Sequence, residues 1–465
     1  MPISGLLREN VYYIEFFGKF WVYAEITAKY LCYWATGVGK SKLGVALAKA
    51  FSGEIINGDA MQIYQGLDIL TNKQPLEERQ DVRHHLLGYL NITDAYNVFQ
   101  YEKEALYIIE RLHEKKTLPV FIGGTHYYIQ SVLFKNALLS EKKAGQEKML
   151  DEKGEKEGSM FDHLLNMSTP DLYSRLKEID PLIAKRWHPN DRRKIQRSLE
   201  IYYETGTRPS VLYNEQRQHS NKREIPRFRT CVFWVYCDYK VLDEILDKRV
   251  DEMCRSGLFD EINMMYDVWN TLDKQKLDLN AQKGIWQAIG FKEFLPYLQL
   301  PKDSKEQTRN TYLLNAIASM KLATRQYARK QVKWIKNKLY PLCKETGTDI
   351  RFYLLDATDL SLWDTQIQNL AISLFSDFLQ NKQGPDPLSL NTVAKELLSS
   401  EKILDYSSQT DLWKHYICDV CKTSSGAPLV TVGLPQWTIH VQGRRHKKIV
   451  AGLKTKTNSL TMKDT

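Results

Sequence analysis

Residues 34–41 read Trp-Ala-Thr-Gly-Val-Gly-Lys-Ser, and no other feature restricts the fold of this chain as strongly. A Gly-rich turn closing on Lys-Ser cradles an anion when a buried strand delivers it to a helix N-terminus, where successive backbone N–H groups point inward. Tyr30 to Tyr33 are expected to supply that strand, and Leu43-Gly44-Val45-Ala46-Leu47-Ala48 the body of the helix. The diphosphate-binding set is then Ala35, Thr36, Gly37, Val38, Gly39, Lys40 and Ser41, with Lys40 neutralising charge and the Ser41 hydroxyl available to Mg²⁺. Where the full pattern opens on Gly, this chain has Trp34.

Two further segments repeat the strand, turn and helix logic. Glu54-Ile55-Ile56-Asn57 reads as a short strand ending at Asp59, and Leu118-Pro119-Val120-Phe121-Ile122 runs into Gly123-Gly124-Thr125 and an apolar helix from Tyr127 to Phe134. Such repetition predicts an α/β fold, a P-loop NTPase-like, mainly parallel sheet with its sites at the strand C-terminal ends. Arg229 to Tyr236 and Arg351 to Leu355 are expected to complete the sheet, with long helices from Leu242 to Tyr266 and from Thr308 to Tyr340. The Glu-, Lys- and Gly-rich stretch from Ser140 to Ser159 opens a helical insertion. The 465 residues, 43% of them hydrophobic, suffice for two or three domains. The expected division is an unassigned segment 1–33, a catalytic core of 34–136 and 228–380, a helical insertion domain 137–227, a linker 381–410, a small finger 411–451 and a tail 452–465.

The net charge of +9 is unevenly spread, which suggests an anionic partner. Between Met320 and Tyr340 lie Lys321, Arg325, Arg329, Lys330, Lys333, Lys336 and Lys338 and no acid. At helical spacing Arg325, Arg329, Lys330, Lys333 and Lys336 fall on one half, opposite Tyr327, Ala328, Val332, Trp334, Ile335 and Leu339, so one face is expected to pack and the other to attract nucleic-acid phosphate. Lys185, Arg186, Arg192, Arg193, Lys194 and Arg197 form a second basic cluster within the insertion.

Seven cysteines are too few for a disulfide framework and point to a reducing compartment. No apolar run reaches the roughly 18 residues of a membrane span, and the N-terminus lacks the pattern of a secretory signal, so no membrane anchor is expected. One cysteine pair has metal-ligand spacing: Cys418 and Cys421, then His440 after 18 residues and His446 after five more. Two thiolates and two imidazoles suit tetrahedral Zn²⁺, and four protein ligands close the site, so its role is structural or RNA-binding.

Several residues also have a purely structural reading. Thr125 is either a substrate contact at a strand end or a helix N-cap, whereas Asp59 taken by itself reads as an N-cap and Gln62 as a surface residue. The adjacent His84 and His85 are read as structural.

Taken in order, Thr36-Gly-Val-Gly-Lys-Ser41, Asn57-Gly-Asp-Ala-Met-Gln-Ile-Tyr64, Thr71-Asn-Lys73 and Gly123-Gly-Thr-His-Tyr-Tyr128 resemble the tRNA dimethylallyltransferase family. The likeness continues through His188-Pro-Asn-Asp191, Gly284-Ile-Trp-Gln-Ala-Ile-Gly-Phe-Lys-Glu293 and Arg325-Gln-Tyr-Ala-Arg-Lys-Gln331, and is closest to eukaryotic members of fungal type with a C-terminal C2H2-type zinc finger.

The resemblance implies transfer of a dimethylallyl group from dimethylallyl diphosphate, with Mg²⁺, to N6 of adenine 37 in the tRNA anticodon stem-loop. It implies Asp59 as general base, with Thr36, Lys40 and Arg249 acting on the diphosphate. The tRNA contacts would be Asp59, Ala60, Met61, Gln62, Thr125, Arg193, Lys194, Arg197, Arg325, Arg329 and Gln331. Structural Zn²⁺ on Cys418, Cys421, His440 and His446, a monomeric state, and a cytoplasmic location with mitochondrial and nuclear pools belong to the same expectation. Three positions depart from the family pattern: Trp34 for Gly, Ala60 for Ser and Ile245 for Arg. These departures define an alternative, a catalytically impaired RNA-binding descendant; a small-molecule kinase using ATP is a further one.

Overall fold

The computed structural model describes residues 14–16, 19–21, 28–34, 39–135, 137–138, 164, 167–220, 225–274, 284–347, 349–399, 413–423 and 426–461. Ala35, Thr36, Gly37 and Val38 of the expected anion cradle lie outside the described residues. A short antiparallel pair, β1 (Ile14–Phe16) and β2 (Lys19–Trp21), comes first. The sheet proper is built from β3 (Ala28–Trp34), β4 (Gly53–Asn57), β5 (His84–His85), β6 (Leu118–Gly123), β7 (Arg229–Tyr236) and β8 (Ile350–Asp356). Its order is β5-β4-β6-β3-β7-β8 and every pairing is parallel.

Tyr30 to Tyr33, expected as the strand ahead of the Gly-rich turn, lie in β3, an interior strand in which Tyr30 pairs with Val120 on one side and Cys231 on the other. A parallel ladder asks only for extended backbone with both N–H and C=O rows engaged, so the Lys29 and tyrosine content does not exclude it. In β7 every residue from Thr230 to Tyr236 is buried, the unbroken pattern of a strand covered on both faces.

Helices α1 (Lys40–Ala50), α2 (Val98–Glu114) and α3 (His126–Leu133) follow β3, β5 and β6. Asn97 caps α2, its side chain accepting from the N–H groups of Phe99 and Gln100 while Gln100 reaches back to Asn97 N. Leu43, Leu47, Ala105 and Ile109 from these helices bury against Ile55, Ile56, Val120, Phe121, Phe233 and Leu354 of the sheet.

The stretch from Ser140 to Ser159 lies outside the described residues, and beyond it the insertion forms helices α4 (Thr169–Ile179), α5 (Pro181–Arg186), α6 (Arg192–Thr205) and α7 (Pro209–Ser220). Their common core is Leu172, Leu176, Ile183, Ile195 and Leu199. Asp180 is buried at 1% exposure because its two oxygens cap α5 at Ile183 N (3.1 Å) and hold Ser210 N (2.7 Å).

Beyond β7 the single helix expected from Leu242 to Tyr266 is two, α8 (Tyr239–Arg255) and α9 (Leu258–Lys274), because Gly257 turns at φ 106°. After α10 (Phe291–Leu298), α11 (Glu306–Trp334) ends in a wider turn over Ile335–Leu339 before α12 (Tyr340–Glu345). Pro341 has no N–H to return to the ladder, which accounts for the changed hydrogen-bond register just before it. Ile63, Tyr64 and Leu67 pack with Val250, Leu258, Met265, Phe291, Phe294 and Met320 in a second apolar cluster.

Residues 381–399 are not the expected linker. After α13 (Leu370–Leu379), the chain turns into α14 (Thr392–Leu398), whose Ala394 and Leu398 join the main core, and Asn391 donates to Leu354 O at 2.9 Å. The apolar spacing of Leu388, Leu390, Val393, Ala394, Leu397 and Leu398 covers the edge strand β8, an outcome that Gly384 and the neighbouring prolines conceal in composition.

The C-terminal region pairs β9 (His415–Lys422) with β10 (Pro428–Val432) and continues into α15 (Leu434–Gln442) and α16 (Arg444–Thr461). The chain divides into two compact units, residues 1–138 with 223–402 and residues 139–222 with 403–465. Insertion and finger, expected as separate domains, thus form one unit. Tyr173 Oη approaches His415 Nδ1 at 3.4 Å, and His188 Nε2 meets Val430 O at 3.0 Å. Among the described residues no helix is long and apolar enough to cross a membrane.

Candidate active site

The three strands β3, β4 and β6 end side by side, and their C-terminal turns carry Gly39-Lys40-Ser41, Asn57-Gly58-Asp59 and Gly123-Gly124-Thr125. At the end of β4 Asn57, 3% exposed, organises the turn: its Nδ2 donates to Leu86 O (2.8 Å) and Asp59 O (3.1 Å), and its Oδ1 accepts from Asp59 N (3.1 Å). Tyr101 Oη donates to Asn57 O at 3.1 Å. The Asp59 Oδ1 accepts from Met61 N at 2.9 Å in an Asx-turn. That fixes the carboxylate while committing only one of its oxygens.

The other oxygen faces the β6 turn. A Cβ built on Gly124 would stand 3.1 Å from Asp59 Oδ2 and 2.7 Å from Gln331 Nε2. Gln331 Nε2 (2.9 Å) and Tyr327 Oη (3.1 Å) both donate to Gly124 O. Thr125 accepts Ala60 N on its hydroxyl at 2.9 Å and donates its own N–H to Gly58 O at 3.1 Å, so the two turns are laced together. Thr125 is also the N-cap position of α3, yet its side chain makes no capping bond. Neither of its two sequence readings describes this tie.

Lys40 opens α1 behind Gly39, whose φ of 77° is left-handed. Burial pushes the Lys40 ammonium down, the Asp59 carboxylate raises it and Arg249 lowers it again. Burial likewise pulls down the Arg249 guanidinium on α8. Two desolvated cations and one carboxylate therefore share one field, and such a cluster gains most from an arriving polyanion. Ile245, one turn before Arg249, packs against the main core and brings no charge. Burial, then Lys40, hold His126 down to about 3, a neutral ring stacked on Trp334 with centroids 4.7 Å apart.

Other predicted residues stand differently. Gln62 Nε2 donates to Thr71 O (3.1 Å) and Asn72 O (3.0 Å), bracing its own loop. Gln331 is 2% exposed, inside the fold rather than on an RNA-facing surface. The basic face of α11 is partly neutralised by α8: Lys321 meets Asp251 at 2.6 Å, Arg325 meets Asp247, and Arg329 meets Asp243 at 2.6 Å. No ion pair among the described residues engages Lys330, Lys333 or Lys336. In the insertion Lys194 pairs with Asp191 (2.7 Å), Arg197 with Glu200 and Glu204 (3.3 and 3.4 Å), and Arg193 is exposed.

The sequence expectations gave Tyr327 only a packing role and gave Asn57 and Trp363 no role of their own in the site. Tyr327 lies four residues before Gln331, and two hydrogen-bonding groups on the apolar face of an otherwise basic helix were the available signal. Trp363 had none: it follows β8, and a Cβ on Gly39 would stand 2.6 Å from its ring. In the C-terminal region the ligand atoms of Cys418, Cys421, His440 and His446 lie within 4.8 Å of one another. Cys421 N donates to Cys418 Sγ at 3.3 Å, and both sulfurs approach His446 Nδ1 at 3.5 Å. This donor set fits a divalent metal ion.

A parallel α/β sheet with Gly39-Lys40-Ser41 at a helix start, beside a carboxylate and an arginine, is an arrangement suited to holding an anionic phosphate group. A family model described as IPP transferase matches residues 62–338, and the chain belongs to that family. The tRNA dimethylallyltransferase of Saccharomyces cerevisiae is 40% identical over 418 residues, 89% of each chain. That of Schizosaccharomyces pombe is 37% identical over 423 residues, 89% of this chain and 93% of the other. A crystal structure of a eukaryotic dimethylallyltransferase acting on tRNA superposes with a TM-score of 0.72 at 36% identity, covering 94% of this chain and 99% of that one.

Proposed function

We propose that this protein is a tRNA dimethylallyltransferase, moving a dimethylallyl group from dimethylallyl diphosphate to N6 of adenine 37 and releasing diphosphate. The observation that carries the reading is the Asp59 carboxylate, fixed by one oxygen in its Asx-turn and set in a common field with Lys40 and Arg249.

An exocyclic amine is a weak nucleophile. As its nitrogen bonds to the allylic carbon, the C–O bond to diphosphate breaks, and the N–H proton passes to a carboxylate oxygen of Asp59. Charge grows on the departing oxygens, where Lys40, Arg249 and the N-terminus of α1 stabilise it. Mg²⁺, held at the Ser41 hydroxyl, would supply further charge neutralisation when bound. Cys418, Cys421, His440 and His446 would hold Zn²⁺ for structure, since a site closed by four protein ligands leaves no position for substrate.

The test is Asp59→Asn. Asn can still accept from Met61 N, so the turn survives while the base is lost. Transfer of labelled dimethylallyl to an anticodon stem-loop is expected to fall about 10²- to 10⁴-fold, with the RNA still bound. A variant that transfers at the parental rate removes Asp59 as the base.

A further inference from the structure

Within the unit formed by residues 139–222 and 403–465 lies a cavity of about 530 Å³ lined by Tyr173, Lys177, Lys185, Pro189, Trp413, Lys414, His415, Ile417 and Val430. It lies where the β9–β10 hairpin meets α4 and α5. Its chemistry is one-sided: three ammonium groups, three aromatic rings and no acid among the lining residues. The rings are fixed. Tyr173 donates to Ala184 O at 3.2 Å and its ring lies 6.3 Å from that of His415, tilted by 30°. Arg186 stands 5.3 Å from the Trp413 ring and about as far from two others, 5.0 Å from Trp187 and 5.6 Å from Tyr213, so one cation braces three aromatic side chains. Lys177, Lys185 and Lys414 are exposed, and no ion pair among the described residues engages them.

We propose that this cavity is a nucleotide subsite for single-stranded RNA: one unpaired base stacks on the Trp413 and His415 rings while Lys177, Lys185 and Lys414 hold the flanking phosphates. Flat π-faces inside a ring of ammonium groups are what sequence-tolerant single-strand binding requires. A peptide partner would fit less well, since three ammonium groups with no acid among the lining residues favour a ligand that carries regularly spaced negative charge. The inference rests on the RNA-modifying function proposed above and adds a binding position remote in sequence from every strand-end turn of the active site.

Full-length protein and a fluorescently labelled anticodon stem-loop provide the test, with binding and transfer measured separately. Trp413→Leu is expected to weaken RNA binding roughly 5- to 150-fold, the range of one base–aromatic stack, whereas Trp413→Phe keeps most of the affinity. Lys177→Glu with Lys185→Glu is expected to weaken binding at least tenfold and to lower the salt dependence by about 0.7 for each phosphate that is no longer neutralised. Turnover at saturating RNA stays at the parental value in all three. Unchanged metal content and melting of the finger show that the variants are folded. RNA affinity unaltered in folded Trp413→Leu and in the lysine pair overturns the subsite, as does a free nucleoside 5′-monophosphate that occupies the cavity without competing with RNA. Failure of the parent to transfer dimethylallyl would instead count against the proposed reaction, because the binding comparison does not depend on turnover.

Discussion

A methyl group on residue 123 has nowhere to go: a Cβ there would run into the backbone of Gly58, the residue before Asp59. Gly123→Ala must part the β4 and β6 turns, so it is expected to cost about 1–3 kcal/mol in denaturant titration and to abolish most transfer activity, since the moved segment carries Asp59, the proposed base. His126 answers to pH. Its ring stays neutral down to about 3 in the folded chain but titrates near 6.5 when unfolded, so the unfolded state binds the extra proton between those values. Stability contributed here is present above pH 6.5 and falls on acidification by up to about 1.4 kcal/mol per pH unit. His126→Phe keeps a ring against Trp334 without the titration, and its urea midpoint is expected to vary less steeply between pH 6 and pH 4. None of this was visible in composition. Lys40 was legible from the Gly-Lys-Ser turn, and Asp59 and Arg249 through the family resemblance, but the approach of Gly123 to Gly58 joins residues far apart in the chain.

Helix α8 illustrates what periodicity conveys and what it hides. Asp243, Asp247 and Asp251 recur every fourth residue, and so do Lys321, Arg325 and Arg329 on α11; running antiparallel, the two rows meet rung by rung. Read alone, α11 looks like a phosphate-binding stripe, and only the matching row on α8 reveals that half of it is neutralised. These pairs are about a third exposed, so a double-mutant cycle on Arg325 and Asp247 is expected to return a coupling of about 0.2–1 kcal/mol, reduced by salt. Lys330, Lys333 and Lys336 have no ion pair among the described residues, and these are the positions proposed to meet RNA phosphate. Lys333→Glu is expected to lower affinity for the stem-loop and flatten its dependence on salt, whereas Asp247→Asn lowers stability with little effect on the slope. The break between α8 and α9 was legible, since Gly257 stands there, but an apolar pattern running through it suggested one helix. The strand expected at Tyr30 to Tyr33 extends over Ala28–Trp34, and only its two flanking strands fix its interior place, which local residue preferences do not report.

At the scale of the whole molecule, the chain leaves its α/β core twice, and both excursions enter the same compact unit. Order along the sequence could not show this, because the insertion and the finger are separated by the second half of the core. The candidate metal ligands were legible from spacing, and the structure brings the donor atoms of all four within 4.8 Å of one another. Joining them to α4–α7 has a consequence for stability. Below about 40 residues a finger depends on its metal for most of its folding energy, and here Tyr173 and His188 of the insertion lean on His415 and Val430 of the hairpin. Removing the metal with a chelator is expected to raise amide exchange first in 415–446 and next in 173–189, while β3, β6 and β7 keep their protection. Two unfolding transitions should then be resolved, only the lower one moving with metal concentration. Cys421→Ser should reproduce the chelated pattern without chelator. If exchange in 173–189 stays at the parental rate while the finger opens, the insertion stands on its own apolar core of Leu172, Leu176, Ile195 and Leu199, and the finger contributes nothing to its stability.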